Sequence, residues 1–155
     1  MTDRRAEVLR STPVQTFALF PLAVALWEIL VRRGRLRPHP AFLPLLAWGY
    51  LEYRLCGAYR RRLGGGGPGL ERPPERLVTT GPYALTRNPM YLGHVIYMLG
   101  VVLALGSPAG AVALLVRSLW FHRRVLGDER RMARLFGPDY ERYRARVSRW
   151  VPGRF

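Results

Sequence analysis

Hydrophobic residues fall into four runs that polar, arginine-rich segments separate. The first run has eighteen residues, about 27 Å as a helix at ~1.5 Å rise per residue, which is close to the hydrocarbon thickness of a bilayer. The last two runs are separated by a Gly-Ser-Pro break that leaves room only for a tight turn, so we expect antiparallel neighbours. The pattern predicts four membrane-spanning helices, at 14–31, 41–59, 90–106 and 108–121.

Three charged residues interrupt the second and fourth of these runs: Glu52, Arg54 and Arg117. An unpaired charge near the centre of a spanning helix costs on the order of 3 kcal/mol. We therefore expect these side chains near the membrane interface or facing the bundle interior. Arg117 weakens the short fourth run, which gains support from the need to return the chain to the basic side.

A signal peptide is an alternative for the first run. Basic residues precede it, and Ala23-Val24-Ala25 resembles a cleavage site. The apolar run continues through Leu30, which favours a spanning helix.

The C-terminal segment 122–155 has a different pattern. Apolar residues recur there at spacings of three or four with arginines between them, which is typical of a basic amphipathic helix on a membrane surface. We expect Gly137-Pro138 to break or kink this helix. The apolar positions are Met132, Leu135, Phe136, Tyr140, Tyr143, Val147 and Trp150.

The predicted fold class is all-α: one domain, 1–155, built as a multi-pass membrane helical bundle with about four spans and a C-terminal amphipathic helix.

The charge distribution indicates the orientation. All 25 basic residues are arginine and the net charge is +15, which suits nucleic acid or an anionic membrane surface. Nineteen arginines lie in 1–13, 60–89 and 122–155, against four in the opposite connections. The positive-inside rule then predicts an inner-membrane protein with both termini and the connection 60–89 cytoplasmic. The four opposing residues crowd the first loop and leave the topology of the first hairpin open: Arg32, Arg33, Arg35 and Arg37.

The connection 60–89 contains a glycine-rich tract at 64–69, which predicts a linker or a mobile lid. It lacks the strand and the Lys-Ser or Lys-Thr pair of a phosphate loop. The lone Cys56 excludes an intramolecular disulfide, and the three histidines have no ligand spacing, so no metal site is expected. These histidines are His39, His94 and His122.

The stretch 77–94 is the most informative part of the chain. It reads Leu-Val-Thr-Thr-Gly-Pro-Tyr-Ala-Leu-Thr-Arg-Asn-Pro-Met-Tyr-Leu-Gly-His. Gly81-Pro82 marks a turn, and Asn88-Pro89 is typical of a helix start. The pattern also clusters Arg87, Tyr91 and His94 where a membrane helix begins, which suits ligand binding as well as interfacial anchoring.

The stretch resembles the Gly-Pro-Tyr and Arg-His-Pro-x-Tyr-x-Gly motifs of the isoprenylcysteine carboxyl methyltransferase family, with Asn88 where histidine is common. Its Asn-Pro-Met-Tyr-x-Gly form is similar to that of phospholipid N-methyltransferases. A second block resembles the acidic pair and Phe-Gly-x-x-Tyr-x-x-Tyr tail of these enzymes, in Asp128-Glu129 and 135–143. The two blocks cover roughly 76–152 in the family's order.

The resemblance implies methyl transfer from S-adenosylmethionine to a lipophilic acceptor, such as a carboxylate, thiol or amine. It implies catalytic roles for Arg87 and Glu129, with Arg87 engaging a carboxylate. Glu129 would either hold cofactor hydroxyl or amino groups or stabilise positive charge, with Asp128 in a supporting or helix-capping role. Gly93 would let the cofactor approach the backbone, and the Tyr91 ring would lie near the sulfonium. The implied cofactor-binding residues are Tyr83, Arg87, Asn88, Pro89, Tyr91, Gly93, His94, Asp128 and Glu129.

The resemblance leaves the acceptor open. A carboxylate arrives ionised, whereas an amine or thiol must lose a proton, for which His94 or Glu129 is a candidate base. The expected partners are a lipophilic or lipidated substrate and membrane lipids, with no nucleic acid and an open oligomeric state. Two alternatives remain: a membrane reductase that uses NADPH and resembles the sterol reductases, and a non-catalytic membrane scaffold.

Overall fold

The computed structural model describes residues 11–34, 38–67 and 72–150. Several predictions lie outside these residues: the location of both termini, the contribution of Arg35 and Arg37 to the first loop, and the Pro68-Gly69 end of the glycine tract. Throughout the described part of the chain, regular secondary structure is helical, as the all-α prediction requires.

Five helices account for most of the described chain. A π-helical turn at Gln15–Leu19 interrupts the first helix, and two short 3-10 helices lie at Pro40–Phe42 and Gly81–Ala84. The helices are α1 (Thr12–Val31), α2 (Leu43–Gly64), α3 (Pro89–Leu105), α4 (Pro108–Phe136) and α5 (Pro138–Arg144).

Each predicted apolar run therefore lies in a helix, although two helices extend well beyond the run. Helix α2 continues to Gly64, so the polar connection begins five residues later than the predicted start at 60. Helix α4 continues without a break from the fourth run into the arginine-rich segment, as far as Phe136. Arginine and leucine are good helix formers, so a change from apolar to charged residues does not end a helix.

Glycines with positive φ end α3 and α4. At Gly106 φ is +54°, and the Ser107 and Gly106 N–H groups donate to the carbonyls of Val102 and Leu103 at 3.1 and 3.3 Å. These bonds satisfy the last carbonyls of α3 and allow the tight turn before Pro108. Gly137 has φ 50° and ψ −126°, a conformation that L side chains rarely adopt, and the predicted break at Gly137-Pro138 is confirmed.

The chain divides into two compact units. The first contains Met1–Leu51 and Gly93–Ser118, and the second contains Glu52–Leu92 and Leu119–Phe155.

Buried polar contacts and close backbone approach hold the first unit together. Glu28, 3% exposed, accepts a hydrogen bond from Ser107 Oγ at 2.6 Å and pairs with Arg32 Nε at 2.7 Å. On α2, a Cβ at Gly49 would lie 2.4 Å from the Tyr97 nitrogen and 2.6 Å from the Gly93 carbonyl oxygen. Only glycine permits this approach of α2 to α3.

The second unit packs the end of α2 against the polar connection. Its core contains Cys56, Val78 and Tyr83, with Tyr59 and Met90 packed against them. The described glycines of the tract, which the sequence predicts to be a linker or a mobile lid, are hydrogen-bonded to neighbouring backbone. The Gly64 carbonyl accepts hydrogen bonds from the N–H groups of Glu75 and Arg76 at 2.7 and 3.1 Å, and the Gly67 N–H donates to the Arg72 carbonyl at 3.0 Å.

Among the described residues, one helix has the length and apolar composition of a membrane span: α1, with mean hydropathy 1.8. Helix α3 is apolar but shorter, at 17 residues. Charged residues begin at Glu52 in α2 and at Arg117 in α4.

Candidate active site

The Glu129 carboxylate lies at the centre of a cluster in the second unit. Helix α4 carries Glu129, which is 7% exposed. Arg87 and Asn88 approach it from the turn before α3, and Arg149 approaches from the segment after α5. The donor-to-oxygen distances are 3.1 to 3.2 Å for Arg87, 3.1 Å for Asn88 Nδ2, and 3.1 to 3.2 Å for Arg149.

All five N–H donors of the Arg87 guanidinium have acceptors. Nε and Nη2 donate to the two carboxylate oxygens of Glu129, and Nη1 donates to the carbonyls of Arg144 and Val147 at 2.9 and 2.8 Å. Because a guanidinium offers five N–H donors, these contacts use its full capacity. The carboxylate that Arg87 engages in this structure is Glu129 itself.

The turn before α3 also binds residues 144–150, which we call the C-terminal strap. The Arg87 backbone N–H donates to the Ser148 carbonyl at 3.0 Å, and Thr86 Oγ1 donates to the Arg149 carbonyl at 2.9 Å. Asn88 Nδ2, which also contacts Glu129, lies 3.3 Å from that carbonyl. The strap and the first sequence block therefore form one hydrogen-bonded structure around Glu129.

The tyrosines of the second block are buried and contact each other, with ring centroids 6.0 Å apart. Tyr140 and Tyr143 are 3% and 4% exposed, and the Tyr143 hydroxyl donates to the Tyr83 carbonyl at 2.7 Å. Burial raises the pKa of all three phenols, Tyr83 included, above the ordinary value. They stay protonated at neutral pH, and the Tyr83 and Tyr143 hydroxyls donate to backbone carbonyls.

Two opposing influences set the ionisation of Glu129. Burial raises the pKa of its carboxyl, but the hydrogen bond from Arg149, the charges of Arg87 and Arg149, and the hydrogen bond from Asn88 lower it by more. The net pKa lies below the ordinary 4.5, so Glu129 is ionised at neutral pH. A fixed anion with two guanidinium partners is suited to orientation and electrostatic stabilisation, and poorly suited to accepting a proton.

A second polar group centres on Tyr91, in the first turn of α3. Its hydroxyl donates to Asp128 Oδ2 at 2.8 Å and accepts from Arg124 Nε at 3.0 Å. Its ring lies 5.4 Å from that of the buried Phe121. An anion and a cation therefore flank one partly buried hydroxyl, and the anion is the residue next to Glu129 in the chain.

The structure brings most of the predicted site residues into the second unit: Arg87, Asn88, Tyr91, Asp128 and Glu129. Tyr83 lies in its core, and Pro89 is the first residue of α3. The other two lie in the first unit. Gly93 presents its carbonyl to Gly49, and the His94 ring stacks on Phe17 at 4.9 Å.

Sequence reasoning missed Arg149 and Thr86. Arg149 is one of ten arginines after residue 121, and nothing in the helical periodicity distinguishes it from the others. For Thr86 the available signal was its position directly before Arg87 and Asn88. Threonine and asparagine side chains commonly bind nearby backbone groups, so a polar contact at this turn was to be expected.

The sequence is similar to known methyltransferases over its second half. Residues 69–139 match the family described as phospholipid methyltransferase. The Schizosaccharomyces pombe protein-S-isoprenylcysteine O-methyltransferase is 36% identical over 77 residues, 49% of this chain and 33% of that protein. Arabidopsis thaliana protein-S-isoprenylcysteine O-methyltransferase B is 35% identical over 80 residues, 50% of this chain and 40% of that protein. The mouse enzyme is 34% identical over 77 residues, 49% of this chain and 27% of its own length.

These matches cover less than half the length of the relatives. No solved structure matches this chain significantly. The resemblance that the two sequence blocks predict is confirmed, and the matched region contains Arg87, Asn88, Tyr91 and Glu129.

Proposed function

We propose that this chain belongs to the superfamily of isoprenylcysteine carboxyl methyltransferases and phospholipid methyltransferases, and that it transfers a methyl group from S-adenosylmethionine to a lipophilic acceptor at a membrane. One observation carries the proposal. Arg87 and Glu129, which come from two sequence blocks about forty positions apart, form a buried ion pair. Arg149 forms a second ion pair with the same carboxylate. A scaffold without a site has no need of such a cluster, because replacing a buried ion pair by apolar residues is often neutral or stabilising.

The group around Tyr91 suits the amino-acid part of the cofactor. That part carries an ammonium and a carboxylate, and Asp128 and Arg124 offer the opposite charges on either side of the Tyr91 hydroxyl. The Tyr91 ring offers a π-face to a sulfonium, an attraction of ~0.5 to 2 kcal/mol depending on desolvation. When bound, the cofactor supplies an electrophilic methyl group, and the chain orients it and excludes water.

Arg87 and Glu129 form the framework of the proposed site. Glu129 supplies a fixed negative charge next to Asp128 in the chain, and this charge would help to bind the positively charged donor. Arg87 holds that carboxylate and the strap in place through its five donors. With Glu129 held ionised, the simplest acceptor is one that arrives as an anion, such as the carboxylate of a lipidated residue, because it needs no base.

Exposed apolar side chains support a membrane location with four spans. They lie on α1, on α2 as far as Leu63 and on α4 from Val112 to Trp120, with Leu135 exposed near the end of α4. The exposed arginines Arg123 and Arg124 follow on α4. In water such a surface would aggregate, whereas in a bilayer it faces lipid. Prominent members are Trp27, Leu30, Trp48, Leu55, Leu115 and Leu119, each at least 50% exposed.

In this arrangement the cofactor and the acceptor reach the site from different directions. The arginine-rich end of α4 and the strap lie on the cytoplasmic side in this proposal, as do both termini. The soluble cofactor reaches the second unit from the cytoplasm, and a lipophilic or lipidated acceptor arrives along the bilayer.

A ligand-induced thermal shift of the detergent-purified protein tests the cofactor. We expect S-adenosylmethionine and its demethylated product to raise the apparent Tm, since a ligand at 100 times its Kd adds about 2.7 kcal/mol of stability. Tyr91→Ala should abolish the shift, whereas Tyr91→Phe keeps the ring and should retain part of it. Stabilisation by NADPH alone would support a reductase, and the absence of any response would contradict the proposal.

A further inference from the structure

Arg149 contacts the Glu129 site through its side chain and its backbone. Its Nε and Nη2 atoms lie 3.1 to 3.2 Å from the two oxygens of Glu129. Its carbonyl oxygen accepts hydrogen bonds from Thr86 Oγ1 and Asn88 Nδ2 at 2.9 and 3.3 Å. The residue is thus fixed at both ends, which a surface arginine in a basic tail does not require.

The two guanidiniums at Glu129 differ in what they can do. The Arg87 side chain is 8% exposed and has all its donors engaged within the protein. The Arg149 side chain is 32% exposed and contacts Glu129 from the outer side. Two-point contact with a planar guanidinium restricts rotation of the carboxylate, which a lysine ammonium restrains less.

We propose that Arg149 is a positioning residue of the site, which fixes the orientation of the Glu129 carboxylate and connects it to the C-terminal strap. This inference rests on the proposed methyltransferase function. It assigns to the strap a role in arranging the reaction centre, in addition to covering the second unit. Arg149 acts through Glu129 and does not touch the reacting atoms.

The charged and titratable groups that act on Glu129 come from three segments. Arg87 lies before α3 and Arg149 lies in the strap, and two tyrosines on α5, Tyr140 and Tyr143, interact with the carboxylate electrostatically. Because both tyrosines are neutral at ordinary pH, the two arginines set the charge balance. Removing Arg149 leaves one cation and the burial of Glu129, so the titration midpoint of the carboxyl should move up.

Three variants separate this role from simple anchoring of the strap. Arg149→Gln removes the charge, Arg149→Lys keeps it, and Thr86→Val removes a bond to the Arg149 carbonyl while leaving the guanidinium intact. The readout is the Glu129 carboxyl signal in 13C-glutamate-labelled, detergent-purified protein, titrated with pH and assigned through its loss in Glu129→Gln. The same variants are assayed for the pH dependence of methyl transfer.

We expect Arg149→Gln to raise the midpoint of the carboxyl signal and the acidic limb of the activity profile together. Arg149→Lys should restore most of that shift, and Thr86→Val should leave the midpoint at the wild-type value. An unchanged midpoint in Arg149→Gln, or equal midpoints in Arg149→Gln and Thr86→Val, would overturn the role of Arg149. The carboxyl titration needs no turnover, so an inactive wild type would contradict the proposed function separately.

Discussion

Replacing Glu129 by glutamine tests how much the ion pairs of Glu129 contribute to the free energy of unfolding. The change keeps the shape of the side chain and removes the charge that the two arginines share. The Arg87 and Glu129 side chains are each 8% exposed, so Arg87 would remain as a buried cation without its counterion. Breaking a buried ion pair by removing one partner costs about 3 to 5 kcal/mol. We expect about 3 kcal/mol, the lower end, because glutamine still accepts a hydrogen bond and the 32% exposed Arg149 is partly solvated.

The matched control is Glu141→Gln on α5. Glu141 pairs with Arg144 at 3.1 Å, but these side chains are 50% and 52% exposed. Exposed pairs contribute about 0 to 1 kcal/mol, because water screens them and ordering two long side chains costs entropy. The two variants carry the same chemical change and the same change in net charge.

Thermal unfolding in detergent provides the assay. For a chain of this size, 1 kcal/mol corresponds to about 2 to 4 °C, so Glu129→Gln should lower the apparent Tm by about 6 to 12 °C. Glu141→Gln should lower it by at most about 4 °C. Equal shifts in the two variants would refute the reasoning, because burial would then make no difference to the pair.

Two further predictions concern pH and packing. Because the folded pKa of Glu129 lies below the ordinary 4.5, the stability from its ionised form is fully present above pH 4.5 and is lost as pH falls through the folded pKa. The apparent Tm of the wild type should therefore drop more steeply below pH 4.5 than that of Glu129→Gln, and parallel pH curves would argue against this. Gly49→Ala places a Cβ 2.4 Å from the Tyr97 backbone nitrogen, so it should destabilise the protein. Gly127→Ala, where a Cβ meets nothing within 4 Å in mid-helix, should gain about 0.5 to 1 kcal/mol, and a Gly49→Ala protein as stable as this control would contradict the packing.

The helices were largely predictable from the sequence. A long apolar run offers few side chains that could bind its backbone N–H and C=O groups, and a helix pairs those groups within the run. Proline residues at Pro89, Pro108 and Pro138 mark three helix starts, because proline has no N–H to leave unsatisfied there. The continuation of α4 to Phe136 was not predictable from hydropathy, which reports where apolar residues stop and not where the backbone changes conformation.

The sequence predicted which residues form the site better than it predicted which residues contact each other. The resemblance named Arg87 and Glu129, although no local rule brings positions 42 residues apart together. The resemblance implied that Arg87 engages a carboxylate without saying which one. In the structure that carboxylate belongs to Glu129, because a buried guanidinium must find acceptors wherever the fold supplies them. Arg149 escaped prediction because its partner lies on another helix, and pairing between distant segments leaves no periodic trace in the sequence.

The most direct test of the proposed reaction is transfer of a tritiated methyl group from S-adenosylmethionine to a prenylated cysteine analogue in detergent or lipid vesicles. Label should appear in the organic-soluble, base-labile methyl ester, at a rate that Glu129→Gln lowers strongly and Glu141→Gln leaves unchanged. Base-stable label in phospholipid amines would support the methyltransferase activity and would show that the acceptor is an amine and not a carboxylate. Purified, folded protein that transfers no label to any lipophilic acceptor would contradict the proposal.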